Sequence, residues 1–518
     1  MKNKIMKLQN GSDIRGIADN SVEGETANLT ELEAAAIGAA FGWWLSFKVV
    51  KNPFDLNVCI GRDPRESGDI MVRGLMKGLQ YIGAHIAYTG LASTPAMFMA
   101  CSSQVFEYDG AIMVTASHLP RNRNGFKFFS PEGGLEADDI RKILEHASKI
   151  NMIGEYYEYE KIDLMQFYTL HMRTLIKSGV GGSLEGLHVV VDAGNGAGGF
   201  FATEVLEPLG ADISGSQFLE PDGSFPNHVP NPENTEAMAS VCEAVKKSSA
   251  DLGLIFDTDV DRSAAVDGSG KPIARNEIVA LAAALRTDKY PGGTVVTDSI
   301  TSEELHEFLE NDLGLRHLRY KRGYRNVINK AIEISAQGNN SEYGEAFLAI
   351  ETSGHAAYSE NNYLDDGAFL ACLIVIAAAK LKKEGKGIET LIENLKKPAD
   401  SKEFRLKIAE DKISEDSLSE CAKVKSFTEY ADVILNSLEY WANETDGLEV
   451  VKPNYEGVRV NFKLDGKRGW FLMRKSLHDP VMPVNIESAV SGGSKKAAAM
   501  LKEFLSNFTA IDSDQLEA

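Results

Sequence analysis

Ser117 lies in Thr115-Ala116-Ser117-His118-Leu119-Pro120, at the end of an apolar run from Ala111 to Val114 and just ahead of the basic segment Arg121 to Lys127. A serine in that setting could carry a phosphoryl group. A second apolar run, Leu252 to Phe256, closes on Asp257-Thr258-Asp259-Val260-Asp261-Arg262. If that segment is extended, carboxylates at alternate residues share one side of it. Three carboxylates suit a hard divalent cation such as Mg2+, which takes few protein oxygens and fills its shell with water and phosphate. Serine, cation and phosphate form one chemical hypothesis.

The elements that must hold these groups repeat a pattern. Asn57-Val58-Cys59-Ile60 runs into Gly61-Arg62-Asp63, then a helical stretch ending at Ile82-Gly83, then Ala84 to Tyr88. His188 to Val191 runs into the glycine-rich Asp192 to Gly199, then a helical stretch ending at Leu209-Gly210, then Ala211-Asp212-Ile213. Thr294 to Thr297 runs into Asp298-Ser299, then a helical stretch ending at Leu313-Gly314, then Leu315 to Leu318. Each reads as strand, polar turn, amphipathic helix, glycine C-cap and strand, which predicts three related α/β domains. Beyond a polar linker at 396–402, Val458 to Leu464 and Trp470 to Met473 flank Asp465-Gly466 as a hairpin, and a helix runs from about Gly493 to Phe508. A smaller α+β domain is expected there. The boundaries fall at 1–160, 161–275, 276–398 and 399–518, in line with about 150 residues per domain.

Composition narrows the chemistry. A net charge of −21 argues against nucleic acid as the main partner and makes any anionic substrate depend on a locally basic pocket. The five cysteines, Cys59, Cys101, Cys242, Cys372 and Cys421, are odd in number and scattered, which fits neither a disulfide framework nor zinc ligands and predicts a reducing cytoplasm. The first residues lack the apolar core of a signal peptide, and the longest apolar run, Ala368 to Ala379, is well short of the roughly 20 residues of a spanning helix. It predicts a buried helix, and no membrane partner is expected.

Set beside Glu351-Thr352-Ser353-Gly354-His355, the Ser117 and Asp257 segments give a chain that resembles the α-D-phosphohexomutases, the phosphoglucomutase/phosphomannomutase family, from Gly11 to about Glu487. That family reads Thr-Ala-Ser-His-Asn-Pro at the phosphorylated serine, Asp-Gly-Asp-Gly-Asp-Arg at the metal and Gly-Glu-X-Ser-Gly-His at the sugar. Here Thr258 and Val260 replace the metal-loop glycines, and Ile350 opens the sugar loop. The resemblance implies mixed-sheet domains around a central cleft and an isomerase acting on a sugar phosphate, glucose or mannose, as a monomer or small homo-oligomer. It implies phosphoryl transfer from phospho-Ser117 to a hexose 1- or 6-phosphate through a hexose 1,6-bisphosphate, with one Mg2+ on Asp257, Asp259, Asp261 and Ser117. Arg262 lends positive charge, and Arg15, in Gly11-Ser12-Asp13-Ile14-Arg15-Gly16, orients the phosphoserine. Lys127, His118 and His355 are the candidates for moving the hydroxyl proton. Glu351 and Ser353 chelate adjacent sugar hydroxyls, and Arg325 helps select the sugar. Arg474 and Ser476, in Arg474-Lys475-Ser476-Leu477-His478-Asp479-Pro480, grip the non-reacting phosphate, with His478 where the family has threonine. Gly61-Arg62-Asp63-Pro64-Arg65 buttresses the first domain, and His228 reads as structural.

Three other readings stay open. Gly194-X-Gly196-X-X-Gly199 follows a strand like a dinucleotide-binding fingerprint, without an acidic residue after the next strand. Asp257-Thr258-Asp259-Val260 resembles the start of haloacid-dehalogenase-type phosphatases, with Asp257 as nucleophile, but leaves the Ser117 and Glu351 segments idle. The altered loop at 477–479 allows a catalytically weak sugar-phosphate-binding or regulatory protein on the same fold.

Overall fold

Apolar runs closed by polar turns become buried strands, and the one ahead of Ser117, Gly110–Val114, is buried along its whole length. The computed structural model describes residues 2–102, 105–151, 154–338, 342–416, 423–476 and 479–517. It divides into two compact units, Met1–Tyr290 with Ala346–Glu393, and Pro291–Glu345 with Asn394–Ala518.

In the first unit, Gly110–Val114, Asn57–Arg62 and His85–Leu91 run parallel in one sheet, and Arg123–Ser130 pairs antiparallel with both Gly110–Val114 and Asp13–Ile17. This mixed pairing puts Arg15, Lys127 and the end of Gly110–Val114 on neighbouring strands. The helix Glu31–Val49 opens on a capping box in which Glu33 accepts from the Thr30 backbone N–H, and it packs on Gly68–Tyr81 over the first sheet. A second sheet orders Pro272–Ile273, Ser263–Asp267, Leu252–Phe256 and Val189–Asp192, the last two parallel. Ala346–Ile350, Ala356–Tyr358 and Leu364–Asp365 pair antiparallel, so Glu351 to His355 is the turn of a hairpin.

The first and third strand-helix-strand readings match parallel pairs, Asn57–Arg62 with His85–Leu91 and, in the second unit, Thr294–Thr297 with Arg316–Arg319. The middle one holds in part. The helical run ends at Leu209 on an αL Gly210 as expected, but it is built of 3-10 turns and the π-helical turn Phe201–Leu206, and the expected strand is reduced to isolated parallel bridges, Asp212 to His188 and Gln217 to Asp192. Pro208 has no N–H to continue a regular helix. The parallel partner of Val189–Asp192 is Leu252–Phe256, reached through the helix Thr235–Ser248. The glycine-rich turn packs on the aspartate loop. Ala197 N–H donates to the Thr258 carbonyl at 2.8 Å, and a Cβ on Gly196 would stand 2.8 Å from that oxygen.

The expected apolar helix is Gly367–Lys383, buried over most of its length, with Asp366 capping Phe369 N–H. Its first residue approaches the metal loop so closely that a Cβ on Gly367 would lie 2.6 Å from the Arg262 carbonyl carbon. In the second unit Val458–Leu464 and Lys467–Met473 form the expected hairpin, with Asp465 and Gly466 both at positive φ as a type I′ turn requires. The polar linker is shorter than expected, because Asp400–Lys407 is already a strand, pairing with Val481–Ser488. The last long helix ends at Leu505. Among the described residues, no helix is long and apolar enough to cross a membrane.

Candidate active site

The Ser117 loop is built before any ligand arrives. Ser117 is buried and sits at φ +49, a left-handed conformation that a non-glycine residue holds only when its surroundings enforce it. The enforcing groups are Asp63, Arg65 and Thr115. Ser117 N–H donates to Thr115 Oγ1 at 2.9 Å, and that hydroxyl donates to Asp63 Oδ2 at 2.7 Å. Arg65 pairs with Asp63 through Nε at 3.2 Å and donates its remaining N–H groups to the carbonyls of Ser117, Leu119, Pro120 and Arg123. The arginine expected only to buttress the domain thus carries the serine loop itself.

The metal loop differs from the extended segment read from the alternating carboxylates. It is a tight turn with Val260 at φ +66 that converges Asp257, Asp259 and Asp261, all buried, to ligand atoms within 4.8 Å of one another. An extended strand would spread them over about 13 Å, at about 3.3 Å per residue. Ser117 Oγ donates to Asp257 Oδ2 at 2.9 Å. Arg262 donates to the same oxygen through Nε at 3.1 Å and Nη2 at 3.0 Å, to Ser117 Oγ at 3.1 Å and to His118 Nδ1 at 2.7 Å. Lys127 contacts Asp261 and lies 3.2 Å from Asp259.

Burial, reinforced by Asp261, pushes the Asp257 carboxyl well above its ordinary range. Asp261 moves the other way: burial opposes its charge, but Lys127 and Arg262 outweigh burial. Three carboxylates therefore share two cationic side chains, and Asp259 Oδ1 and Asp261 Oδ1 are buried with no hydrogen-bond partner. Acceptor-only oxygens left in this way fit a divalent oxygen-seeking cation. His118 is pushed down to about 3 by burial and then by Arg262, so its imidazole is neutral.

The sugar-loop turn lies against this centre within the first unit. His355 bridges to Arg262, Ser263 N–H donates to the Gly354 carbonyl, and Glu351, Thr352 and Ser353 are buried. Ser353 Oγ is 2.9 Å from His355 Nδ1. Burial, followed by the charges of Arg262 and Lys127, holds His355 well below the ordinary imidazole range. Arg15 pairs with Asp13 at 2.7 Å and donates to the Thr115 carbonyl at 2.7 Å. His228 is fixed on both oxygens of Asp192 at 3.0 Å.

Four further groups in the same centre escaped the sequence reading. They are Thr94, bonded to Asp259; Asn231, which accepts from Arg262 at 3.2 Å; the Asp63–Arg65 pair; and Asp365, buried beside His355. Asp63 and Arg65 stood in the segment expected to buttress the first domain, and Asn231 in the proline- and asparagine-rich loop Pro221 to Pro232 that contains His228 and reads as structural.

Arg325, Arg474 and Ser476 belong to the second unit. Arg325 lies in the first turn of Tyr324–Gln337. Arg474 is half-buried, and its guanidinium pKa is lowered by burial and next by the neighbouring Arg322. Ser476 Oγ accepts from Asp479 N–H at 3.3 Å. His478 lies outside the described residues.

A serine held against a buried carboxylate triad, with a polar hairpin turn beside it, is an arrangement suited to phosphoryl transfer on a multidomain α/β fold. Comparison with known proteins gives the family. The phosphoglucomutase/phosphomannomutase alpha/beta/alpha domains I, II and III match residues 6–153, 167–270 and 274–398. A phosphomannomutase/phosphoglucomutase of Pseudomonas syringae pv. tomato is 29% identical over 477 residues, 92% of this chain and 90% of that protein. A phosphoglucomutase/phosphomannomutase of Thermococcus kodakarensis is 30% identical over 495 residues, 93% of this chain and 94% of that protein. The crystal structure of a phosphoglucomutase/phosphomannomutase family protein from Burkholderia thailandensis aligns with TM-score 0.76 at 25% identity, covering 96% of this chain and 97% of that one. The chain belongs to the phosphoglucomutase/phosphomannomutase family, with its four-domain α/β fold, and is an isomerase of the phosphohexomutase type.

Proposed function

We propose that the protein interconverts hexose 1-phosphate and hexose 6-phosphate, of glucose, mannose or both. Phospho-Ser117 gives its phosphoryl group to the substrate, and the resulting hexose 1,6-bisphosphate reorients and returns its other phosphate to the serine. The observation that carries this reading is the position of Ser117 Oγ, 2.9 Å from Asp257 Oδ2 and 3.1 Å from Arg262 Nη2.

Asp257, Asp259 and Asp261 would hold one Mg2+, together with an oxygen on Ser117. Such a cation supplies charge neutralisation at a transferring phosphoryl group. The protein's own part is alignment and fixed charge. The Arg65–Asp63–Thr115 frame aims Ser117, Arg262 supplies a cation at the same oxygen, and Arg15 orients the phosphate. Among the three groups near the moving proton, His118 takes a hydrogen bond from Arg262 at Nδ1 and has only Nε2–H to offer, which suits donation to phosphate. Lys127 and His355 remain the carriers of the hydroxyl proton. Glu351 and Ser353 take adjacent sugar hydroxyls. In the other unit, Arg474 and Ser476 take the non-reacting phosphate, and Arg325 contributes to sugar selection. Domain limits at 1–160, 161–275, 276–398 and 399–518 give each of the four loops its own domain.

Protein incubated with Mg2+ and hexose 1,6-bisphosphate should carry one phosphate on Ser117, stable to hydroxylamine, by intact mass and peptide mapping. Ser117→Ala should abolish both label and turnover while leaving the circular dichroism spectrum unchanged. A hydroxylamine-labile phosphate on Asp257, or full activity in Ser117→Ala, would overturn the mechanism in favour of an aspartyl phosphatase. A coupled assay with glucose, mannose and glucosamine 1-phosphates then ranks the substrates.

A further inference from the structure

Asp365 has no task in the mechanism above, yet it is a buried acid beside the aspartate triad. It ends the strand Leu364–Asp365, is 7% exposed, and both its carboxylate oxygens are buried without a hydrogen-bond partner. Its Oδ2 lies 3.7 Å from His355 Nε2, and the same nitrogen lies 3.6 Å from Asp261 Oδ1, itself buried without a hydrogen bond.

These spacings separate two explanations. An Asp–His hydrogen bond closes to about 2.7–3.2 Å, and neither contact does so. Two ligands of a tetrahedral ion with bonds of about 2.0–2.1 Å stand about 3.3–3.4 Å apart, close to both. The three groups offer one atom each within 4.8 Å of one another.

We propose that Asp261, His355 and Asp365 form a second cation site, beside the aspartate triad and sharing Asp261 with it. It rests on the triad reading given under the proposed function. The donor set of one imidazole nitrogen and two carboxylate oxygens selects a borderline divalent transition ion, Zn2+, Co2+ or Mn2+, over Mg2+, which prefers oxygen alone. The outer contacts fit as well. With Nε2 presented to the ion, Nδ1 carries the hydrogen and donates to Ser353 Oγ at 2.9 Å, which fixes the ring's orientation. The backbone is fixed by the pairing of Leu364–Asp365 with Ala357 and Tyr358 and by the Asp366 N–H to Ala356 carbonyl bond at 3.2 Å. An ion there would tie the Glu351–His355 turn to the strand end at Asp365 and withdraw His355 from proton transfer, so a transition ion acts as a brake on turnover.

The test uses the full chain, stripped of metal and then equilibrated with Zn2+. Equilibrium dialysis should give two ions per chain, falling to one when Mg2+ is present in large excess. X-ray absorption at the zinc edge of that one-ion form should carry the outer-shell scattering of a ligating imidazole. Asp365→Asn and His355→Gln should each lose the Mg2+-resistant ion, whereas Asp257→Asn should keep it. One fully Mg2+-displaceable ion per chain, absence of imidazole scattering from the unaltered protein, or a resistant ion that survives both Asp365→Asn and His355→Gln would overturn the site. The first two readouts need no variant to fold. Phosphate labelling of Ser117 with Mg2+ alone is a separate result, so failure of this site and failure of the phosphoserine mechanism are distinguishable.

Discussion

The Ser117 loop and the Arg474 loop are both assigned to phosphate, but they prepare for it in opposite ways. Around Ser117 the loop's polar groups are already engaged: Arg65 serves Asp63 and four carbonyls, Thr115 links Asp63 to the Ser117 backbone, and Arg262 meets the Ser117 hydroxyl. Around Arg474 the charge is exposed to its own kind. Its guanidinium pKa is lowered by burial and by Arg322, with only partial relief from Glu456, Glu403 and Asp298, and its buried Nε has no hydrogen-bond partner. The first loop stores geometry, which phosphoryl transfer needs at the reacting oxygen. The second stores unsatisfied positive charge, which an arriving anion relieves.

The largest test breaks the stored geometry. Arg65→Met keeps much of the volume but leaves Asp63 buried without its cation and strands the carbonyls of Ser117, Leu119, Pro120 and Arg123. Removing one partner of a buried pair costs about 3–5 kcal/mol. Urea unfolding should register that loss, and labelling of Ser117 should fall even at temperatures where the variant is folded. A variant as stable as the parent would show that Arg65 is dispensable to the loop.

The next test removes one metal-facing charge. Asp259→Asn should lower turnover by about 10²–10³-fold, the scale of losing one preorganised electrostatic contact, about 3–4 kcal/mol. Exhaustive chelation of the parent should cause a comparable defect that Mg2+ reverses. Undiminished turnover after chelation would contradict the cation assignment.

How far these features could be read from sequence follows from their range along the chain. Ser117 and the three aspartates were legible because each motif is local and closes an apolar strand. The way the aspartates converge was not, because alternating carboxylates read as one face of a strand, while Val260 at φ +66 folds them into a turn. Arg65 was legible as a pairing arginine, but its grip on carbonyls more than 50 residues away depends on parallel strands being neighbours. Asp365 gave no signal, since its relation to His355 and Asp261 exists only after the hairpin and metal loop meet. The strand-helix-strand grammar succeeded at Asn57 and Thr294. After Val189–Asp192 it located the helical run and its Gly210 cap but not their form, since Pro208 and the glycine-rich turn make the run of 3-10 and π turns and the next strand is reduced to isolated bridges.

A third test asks whether the second unit holds buried charge at a cost elsewhere. Glu487 is 9% exposed and accepts from Trp470 Nε1 at 3.0 Å. Burial, then the neighbouring Glu304, pushes its carboxyl up to about 7 from 4.5. Below the unfolded value both states hold the proton and nothing is lost. As pH rises between the two values, the unfolded chain releases its proton while the folded chain keeps it, so stability declines. The decline is complete above the folded value and amounts to about 3–4 kcal/mol, at about 1.4 kcal/mol per pH unit. Glu487→Gln keeps an acceptor for Trp470 and cannot ionise. Its stability should match the parent at pH 4 and exceed it by that amount at pH 8, read by denaturant unfolding across the series. A constant offset at every pH would show that the carboxyl titrates normally in the fold.

The smallest test bears directly on the comparison between the two loops. If Arg474 is held in readiness for an anion and not for the fold, removing it should cost binding and spare stability, the reverse of Arg65. Arg474→Ala should raise KM for the hexose monophosphate by about 10–30-fold, which is about 1.4–2 kcal/mol of lost phosphate grip, with a smaller change in kcat. Its unfolding free energy should stay within about 0.5 kcal/mol of the parent or rise slightly, because the repulsion from Arg322 disappears with the guanidinium. Arg474→Lys separates charge from geometry. An ammonium restores the charge but not the planar two-donor grip, so it should recover only part of the lost affinity. Raised ionic strength should weaken substrate binding more in the parent than in Arg474→Ala. If Arg474→Ala instead lost stability on the scale of Arg65→Met with KM unchanged, the contrast would fail, and Arg474 would be a structural arginine like Arg65.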